Sequence, residues 1–116
     1  MKFTKSDYET FEKRKIGELA KPLITIILEK NLISKIEIEN LQKAEYSKSI
    51  FNVNYPILKK NNKNLSLKEN IEFNGGNRYY VEPIKNGENE FFITNHWYDY
   101  HKEDFIIWLK RKVTDL

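Results

Sequence analysis

Apolar side chains at Ile16, Leu19, Ala20, Leu23 and Ile27 fall at i, i+3, i+4, i+7 and i+11, one face of a 3.6-residue helix. Ser6 and Glu9 ahead of it have the spacing of a capping box, in which each side chain satisfies the other residue's free backbone N–H. Pro22 lacks a backbone donor, so the pattern predicts a kink or break near Lys21 and a second helical piece over Leu23–Lys30. Asn31 offers a C-terminal stop. Residues 1–33 therefore read as N-terminal helices.

Ser34 is the next candidate cap, with Glu37 three residues on. The apolar positions Ile36, Ile38, Leu41, Ala44 and Tyr46 predict one helix or two short ones over residues 35–51. Asn52 tolerates a left-handed backbone. Asn54 suits an N-cap, and Pro56 suits the first turn of a helix, where its missing N–H is unneeded. Residues 34–62 thus predict a helix, a short turn and a second helix, the form of a helix-turn-helix. The period then changes. Residues 78–84 and 90–94 are rich in strand formers around the turn sequence Lys85-Asn86-Gly87-Glu88-Asn89. They predict a hairpin within residues 71–95, with Pro83 marking an edge strand. A final helix is expected from about Asp99 to Val113, within 98–113. Phe105, Ile106, Trp108, Leu109 and Val113 form its apolar side, and Lys110-Arg111-Lys112 complements the dipole in its last turn.

Composition narrows the chemistry. The chain has 116 residues, of a size for one domain (1–116), and no cysteine. Disulfides, thiolate metal sites and cysteine nucleophiles are excluded together. The longest apolar stretch, Leu23–Leu28, is interrupted by Thr25 and is far below the ~18 residues of a membrane span. Residues 1–5 carry no signal-peptide pattern, so a soluble cytoplasmic protein with no membrane partner is expected. The net charge of +3 is mild but unevenly placed. Residues 1–35 hold eight basic and five acidic groups, residues 36–70 six and four, and residues 71–116 six and eight. The basic excess lies in the first two thirds.

That excess points to nucleic acid, specifically duplex DNA. The second helix of a helix-turn-helix enters the major groove, and here it would present Asn54, Tyr55, Lys59, Asn62 and Lys63. Asn pairs with adenine, and Lys contacts guanine or phosphate. Lys48 and Lys60 would lie near backbone phosphates. Lys85 and Asn86 would form the tip of a wing, with Arg78 at its base. The plainer reading of such lysines is a solvated surface.

The segment Asn95-His96-Trp97-Tyr98-Asp99-Tyr100-His101 holds both histidines. Their i, i+5 spacing does not share a helix face, and there is no cysteine to complete a metal set. The preferred reading has Trp97 and Tyr98 anchoring the last helix to the hairpin. A minimal enzyme using His101 with Asp99 or Glu103 is a third reading, but nothing marks a nucleophile. Asn74-Gly75-Gly76-Asn77 is followed by a strand and not by a helix, so it reads as a turn before the hairpin and not as a phosphate loop. Tyr8, Phe11 and the Ile16–Ile27 stripe could serve a homodimer or the core.

The segments 44–58 (AEYSKSIFNVNYPIL), Arg78-Tyr79-Tyr80, 92–98 (FITNHWY) and 105–109 (FIIWL) resemble a module of uncharacterised bacterial proteins associated with restriction and mobile elements. The likeness spans about residues 36–110. It implies a winged-helix-like fold and a link to DNA transactions or defence, and it supplies no catalytic residues. The expectation is therefore an α+β winged-helix-like domain without cofactor or metal, a non-catalytic DNA binder. The alternative is a protein-interaction module, recognising a phage or defence-system partner, on the same fold. Its expected core is Ile16, Leu19, Leu23, Ile27, Leu41, Phe51, Leu58, Tyr80, Phe92, Ile93, Phe105, Trp108 and Leu109.

Overall fold

A computed structural model describes residues 2–114. The helices are α1 (Lys5–Phe11), α2 (Ile16–Glu29), α3 (Lys35–Leu41), α4 (Ala44–Phe51), α5 (Leu67–Ile71) and α6 (Lys102–Lys112), the last preceded by a 3-10 turn at Asp99–His101. The strands are β1 (Leu58–Lys60), β2 (Glu72–Phe73), β3 (Gly76–Asn77), β4 (Ile84–Asn86) and β5 (Asn89–Ile93). β1, β5 and β4 form an antiparallel sheet in that order, and β2 and β3 a separate two-stranded ribbon. The α+β class stands. No helix among the described residues is long and apolar enough to cross a membrane.

Local signals set most of the first half. α2 buries Ile16, Leu19, Ala20, Leu23, Ile24, Ile27 and Leu28. It runs unbroken through Pro22, contrary to the expected break. Pro22 sits on the exposed side of the helix, and burial of the seven-residue stripe offsets the lost hydrogen bond. α1 is capped two residues earlier than predicted. Thr4 Oγ1 accepts from the Asp7 N–H at 3.2 Å, and Asp7 Oδ2 accepts from the Thr4 N–H at 2.8 Å, which leaves Ser6 inside the helix. Asn31 (φ 53°) ends α2, and the Leu32 N–H reaches back to the Ile27 carbonyl at 2.9 Å. Ser34 caps α3 through the Glu37 N–H, and Asn52 ends α4 at φ 60°.

The second helix of the predicted helix-turn-helix is not formed. After Asn52 the chain bends through Asn54–Ile57 and enters β1. Pro56 biases Tyr55 toward an extended backbone. A helix over 54–62 would also have few apolar residues to bury beyond Ile57 and Leu58. Strand pairing offers more: Leu58 lies opposite Ile93, Lys59 opposite Phe92 and Lys60 opposite Phe91. Buried partners hold the entry. Ser47 Oγ accepts from the Ile57 N–H at 3.0 Å, and the Tyr79 hydroxyl donates to the Pro56 carbonyl at 2.9 Å.

The hairpin is also revised. Its first strand is broken at residues 81–83, next to Pro83, into a single bridge at Tyr79–Thr94 and the short β4. Gly87 (φ 61°) occupies the first central position of the two-residue turn to β5, as a type II′ turn requires. The tip is no free wing, because Asn86 Nδ2 donates to the Leu28 carbonyl at the end of α2, at 2.8 Å. Asn74 (φ 50°) and Gly75 (φ 80°) form the tight turn of the β2–β3 ribbon.

Side-chain alternation divides the sheet. Leu58, Ile84, Phe91 and Ile93 join the main core with α2, α3, α4 and α6. Phe92 faces the other way, onto Ile71, Tyr79 and Phe73. Phe51 lies at the aromatic heart of the main core, 5.3 Å from Trp108 and 6.1 Å from Trp97 between ring centroids. Every expected core residue is buried except Tyr80, which is half-buried while Tyr79 takes the interior position. Tyr8 and Phe11 turn inward against Phe3.

Candidate nucleic-acid interface

The nine residues singled out for DNA contact fall into two groups. Lys59, Lys60, Asn62, Lys63 and Lys85 lie on or beside β1 and β4, and three of them, Lys59, Asn62 and Lys63, are tied to neighbours. Lys59 Nζ donates to the Glu72 and Glu69 carbonyls at 2.9 and 3.4 Å and lies 5.8 Å from the centre of the Tyr79 ring. Burial holds its pKa below the usual lysine value, against the pull of nearby Glu72. Asn62 is clamped by Asn70, whose Oδ1 accepts from the Asn62 N–H and whose Nδ2 donates to the Asn62 carbonyl. Lys63 pairs with Glu90 at 3.4 Å, and Lys85 lies opposite Glu90 in the sheet register. A hydrogen bond from Asn61, and then Lys63 and Lys85, keep the Glu90 carboxyl below the ordinary carboxylate range. Lys60 is exposed.

Lys48, Asn54, Tyr55 and Arg78 gather elsewhere. Lys48, in the last turn of α4, donates to Asn54 Oδ1 at 3.0 Å. Asn54 is therefore a surface partner of Lys48 and not a helix cap. The Arg78 guanidinium lies 5.0 Å from the centre of the Tyr55 ring. Tyr55 meets Phe73 and His96 edge-on, at 5.6 and 4.9 Å. Arg78 is fixed by its backbone: its N–H donates to Ile71, and its carbonyl accepts from the Asn95 N–H and the Thr94 hydroxyl. Arg78 Nε is buried without a hydrogen-bond partner.

Sequence reasoning missed the rest of this surface. His96 packs edge-on against Tyr98 at 4.8 Å, and Tyr98 stacks on Tyr100 at 5.8 Å with planes 15° apart. Tyr98 is 51 % exposed and Tyr100 61 %, so Tyr98 is not the expected anchor. Trp97 alone turns inward, donating from Nε1 to the Thr94 carbonyl at 2.8 Å. The available signal was the alternation of His96, Trp97 and Tyr98 in an extended segment, with Tyr100 following in the 3-10 turn.

The two histidines have different surroundings. His101 is fully buried; its Nδ1 accepts from the Tyr98 N–H at 2.9 Å, which places the ring proton on Nε2, toward the Asn52 carbonyl at 3.1 Å. Burial lowers its pKa, and the bond to Asn52 only partly opposes this. It ties the α4 turn to the start of α6. His96 is half-buried, and neither of its ring nitrogens makes a hydrogen bond among the described residues. Burial and then the Arg78 charge lower its pKa. Among the described residues no three His, Cys, Asp or Glu side chains gather as metal ligands.

One concavity lies away from this face. It is a groove of about 800 Å³ between α1 and the end of α6, lined by Lys5, Glu9, Glu12, Lys13 and Lys110 among others. Its charges are mixed, and Lys110 lies 3.7 Å from Glu12. Comparison with protein-family models, with curated proteins and with solved structures found no match to this chain.

Proposed function

We propose that this protein binds nucleic acid without catalysing a reaction on it, through the face formed by Lys48, Tyr55, Arg78, His96, Tyr98 and Tyr100. The observation that carries the reading is the exposed Tyr98–Tyr100 stack lying in one aromatic cluster with the unpaired Arg78 guanidinium. Flat exposed rings accept unpaired bases of any sequence, and adjacent cations follow the backbone. With no helix over residues 54–62 to enter a major groove, an unpaired strand suits this face better than a duplex. The winged-helix likeness enters only as the order of helices, hairpin and final helix. The resemblance to restriction- and mobile-element-associated modules favours DNA over RNA.

Fluorescence anisotropy with a labelled oligothymidylate tests the reading. Two or three phosphate contacts on a single strand give a slope of log affinity against log salt of about −1.4 to −2.1. No binding at low salt would end the proposal. A protein partner is the second reading, favoured by the exposed apolar side chains Val81 and Ile36 (60 % and 69 %). It predicts no response to the oligonucleotide.

A further inference from the structure

Arg78 presents an unanswered set of donors. An arginine side chain offers five N–H groups in a planar fork. Here Nε is buried and out of a ligand's reach, so contact with a ligand falls to the two Nη groups, and no ion pair involves the guanidinium among the described residues. The arm is nonetheless held in place. Tyr55 lies under it, and Gly76 lies so close that a Cβ there would stand 2.7 Å from Cζ. His96 shares the Tyr55 ring, and its two ring nitrogens make no hydrogen bond among the described residues. Lys48 adds a positive charge that acts on neighbouring His101. Two cation-forming groups held side by side without a carboxylate between them are complementary to an anion.

We propose that Arg78 and His96 form a notch for one phosphate group of a bound strand, with the neighbouring base stacked on Tyr98 and Tyr100. The inference rests on the nucleic-acid reading and assigns the roles within it. Arg78 takes two phosphate oxygens through its fork, and His96 donates to the phosphate once protonated. The groups that set the charge of His96 are Arg78 beside it, Tyr55 and Tyr98 at its edges, and His101 behind it, with Lys48 and Asp104 acting on His101. A phosphate in the notch offsets the repulsion from Arg78 and favours the imidazolium. Binding therefore takes up a proton, and affinity rises as pH falls through the titration range of His96.

The test follows the His96 imidazole resonances by NMR against pH, alone, with inorganic phosphate and with an oligothymidylate. Both probes are expected to move the His96 titration upward and to leave that of buried His101 in place. Gly76→Ala keeps every charge but pushes the guanidinium off its seat. It should abolish the His96 response and weaken oligothymidylate binding about tenfold, as should Arg78→Gln. If Gly76→Ala unfolds the ribbon, Arg78→Gln carries the test alone. An oligothymidylate that binds with His96 unmoved, and equally well to Arg78→Gln, overturns the notch and leaves the nucleic-acid reading intact. A His96 response to inorganic phosphate without oligonucleotide binding overturns the strand as occupant. Silence with both probes overturns both claims.

Discussion

Lys59 and Arg78 are both cations lying over tyrosine rings, and they have opposite fates. Lys59 donates to two backbone carbonyls and fastens the α5–β2 segment onto the sheet. Arg78 lies over Tyr55 with a buried donor that meets nothing. Their neighbourhoods follow the same division. On the Lys59 side, Asn62, Asn70, Lys63 and Glu90 bond to one another. On the Arg78 side, Tyr98 and Tyr100 keep exposed rings and the His96 ring nitrogens make no hydrogen bond among the described residues. Each cation lies over a tyrosine ring. What separates a structural cation from one available to a ligand is whether the fold already supplies its acceptors.

Substitutions on the two sides should act on different properties, stability on one and affinity on the other. Glu37 is the extreme of internal use. It is 4 % exposed and accepts from the Tyr46 hydroxyl at 2.6 Å and Trp108 Nε1 at 2.8 Å, with Lys112 at 3.5 Å. Burial would raise its pKa, but these bonds and the Lys112 charge outweigh it and hold the carboxyl low. Glu37→Ala should cost about 3 kcal/mol in denaturant unfolding. Because the folded pKa is depressed, the carboxylate stabilises the fold above its unfolded value of about 4.3. That stabilisation is lost as pH falls through the folded value, so Glu37→Gln should flatten the acid limb of the stability profile. Asn70→Ala, which frees the 62–66 loop, should cost about 1–3 kcal/mol of stability. Oligonucleotide affinity at temperatures where that variant is folded should be unchanged. Tyr98→Ala with Tyr100→Ala should do the reverse, weakening oligothymidylate about 10- to 100-fold with little change in Tm. Lys60→Ala with Lys63→Ala should alter affinity by no more than about twofold.

What the sequence made legible follows the range of the forces involved. The α2 stripe, the Asn31 stop, the Ser34 cap and the Asn52 turn depend on residues within a few positions, and each is found as read. Residues 54–62 depend on a partner more than thirty positions later, where Leu58 meets Ile93, and no local pattern announces it. α5 carries a local signal, the Ser66–Glu69 capping box, but five residues are too few to show an apolar period. Within the site, Lys48, Asn54, Tyr55 and Arg78 were named for contacts on a helix-turn-helix and wing; the fold gathers them by another route. By sequence His96 is weighed only as a metal ligand and Tyr98 only as an anchor of the last helix; the extended backbone turns Trp97 inward and leaves Tyr98 out.

The central claim is that the Arg78 side binds and the Lys59 side does not. An amide ¹H–¹⁵N NMR titration with oligothymidylate reads both sides at once. The account predicts salt-sensitive shifts at Lys48, Tyr55, Arg78, His96, Tyr98 and Tyr100, with residues 59–63 unmoved. Shifts centred on Lys59, Lys60 and Lys63, or none anywhere, would contradict it.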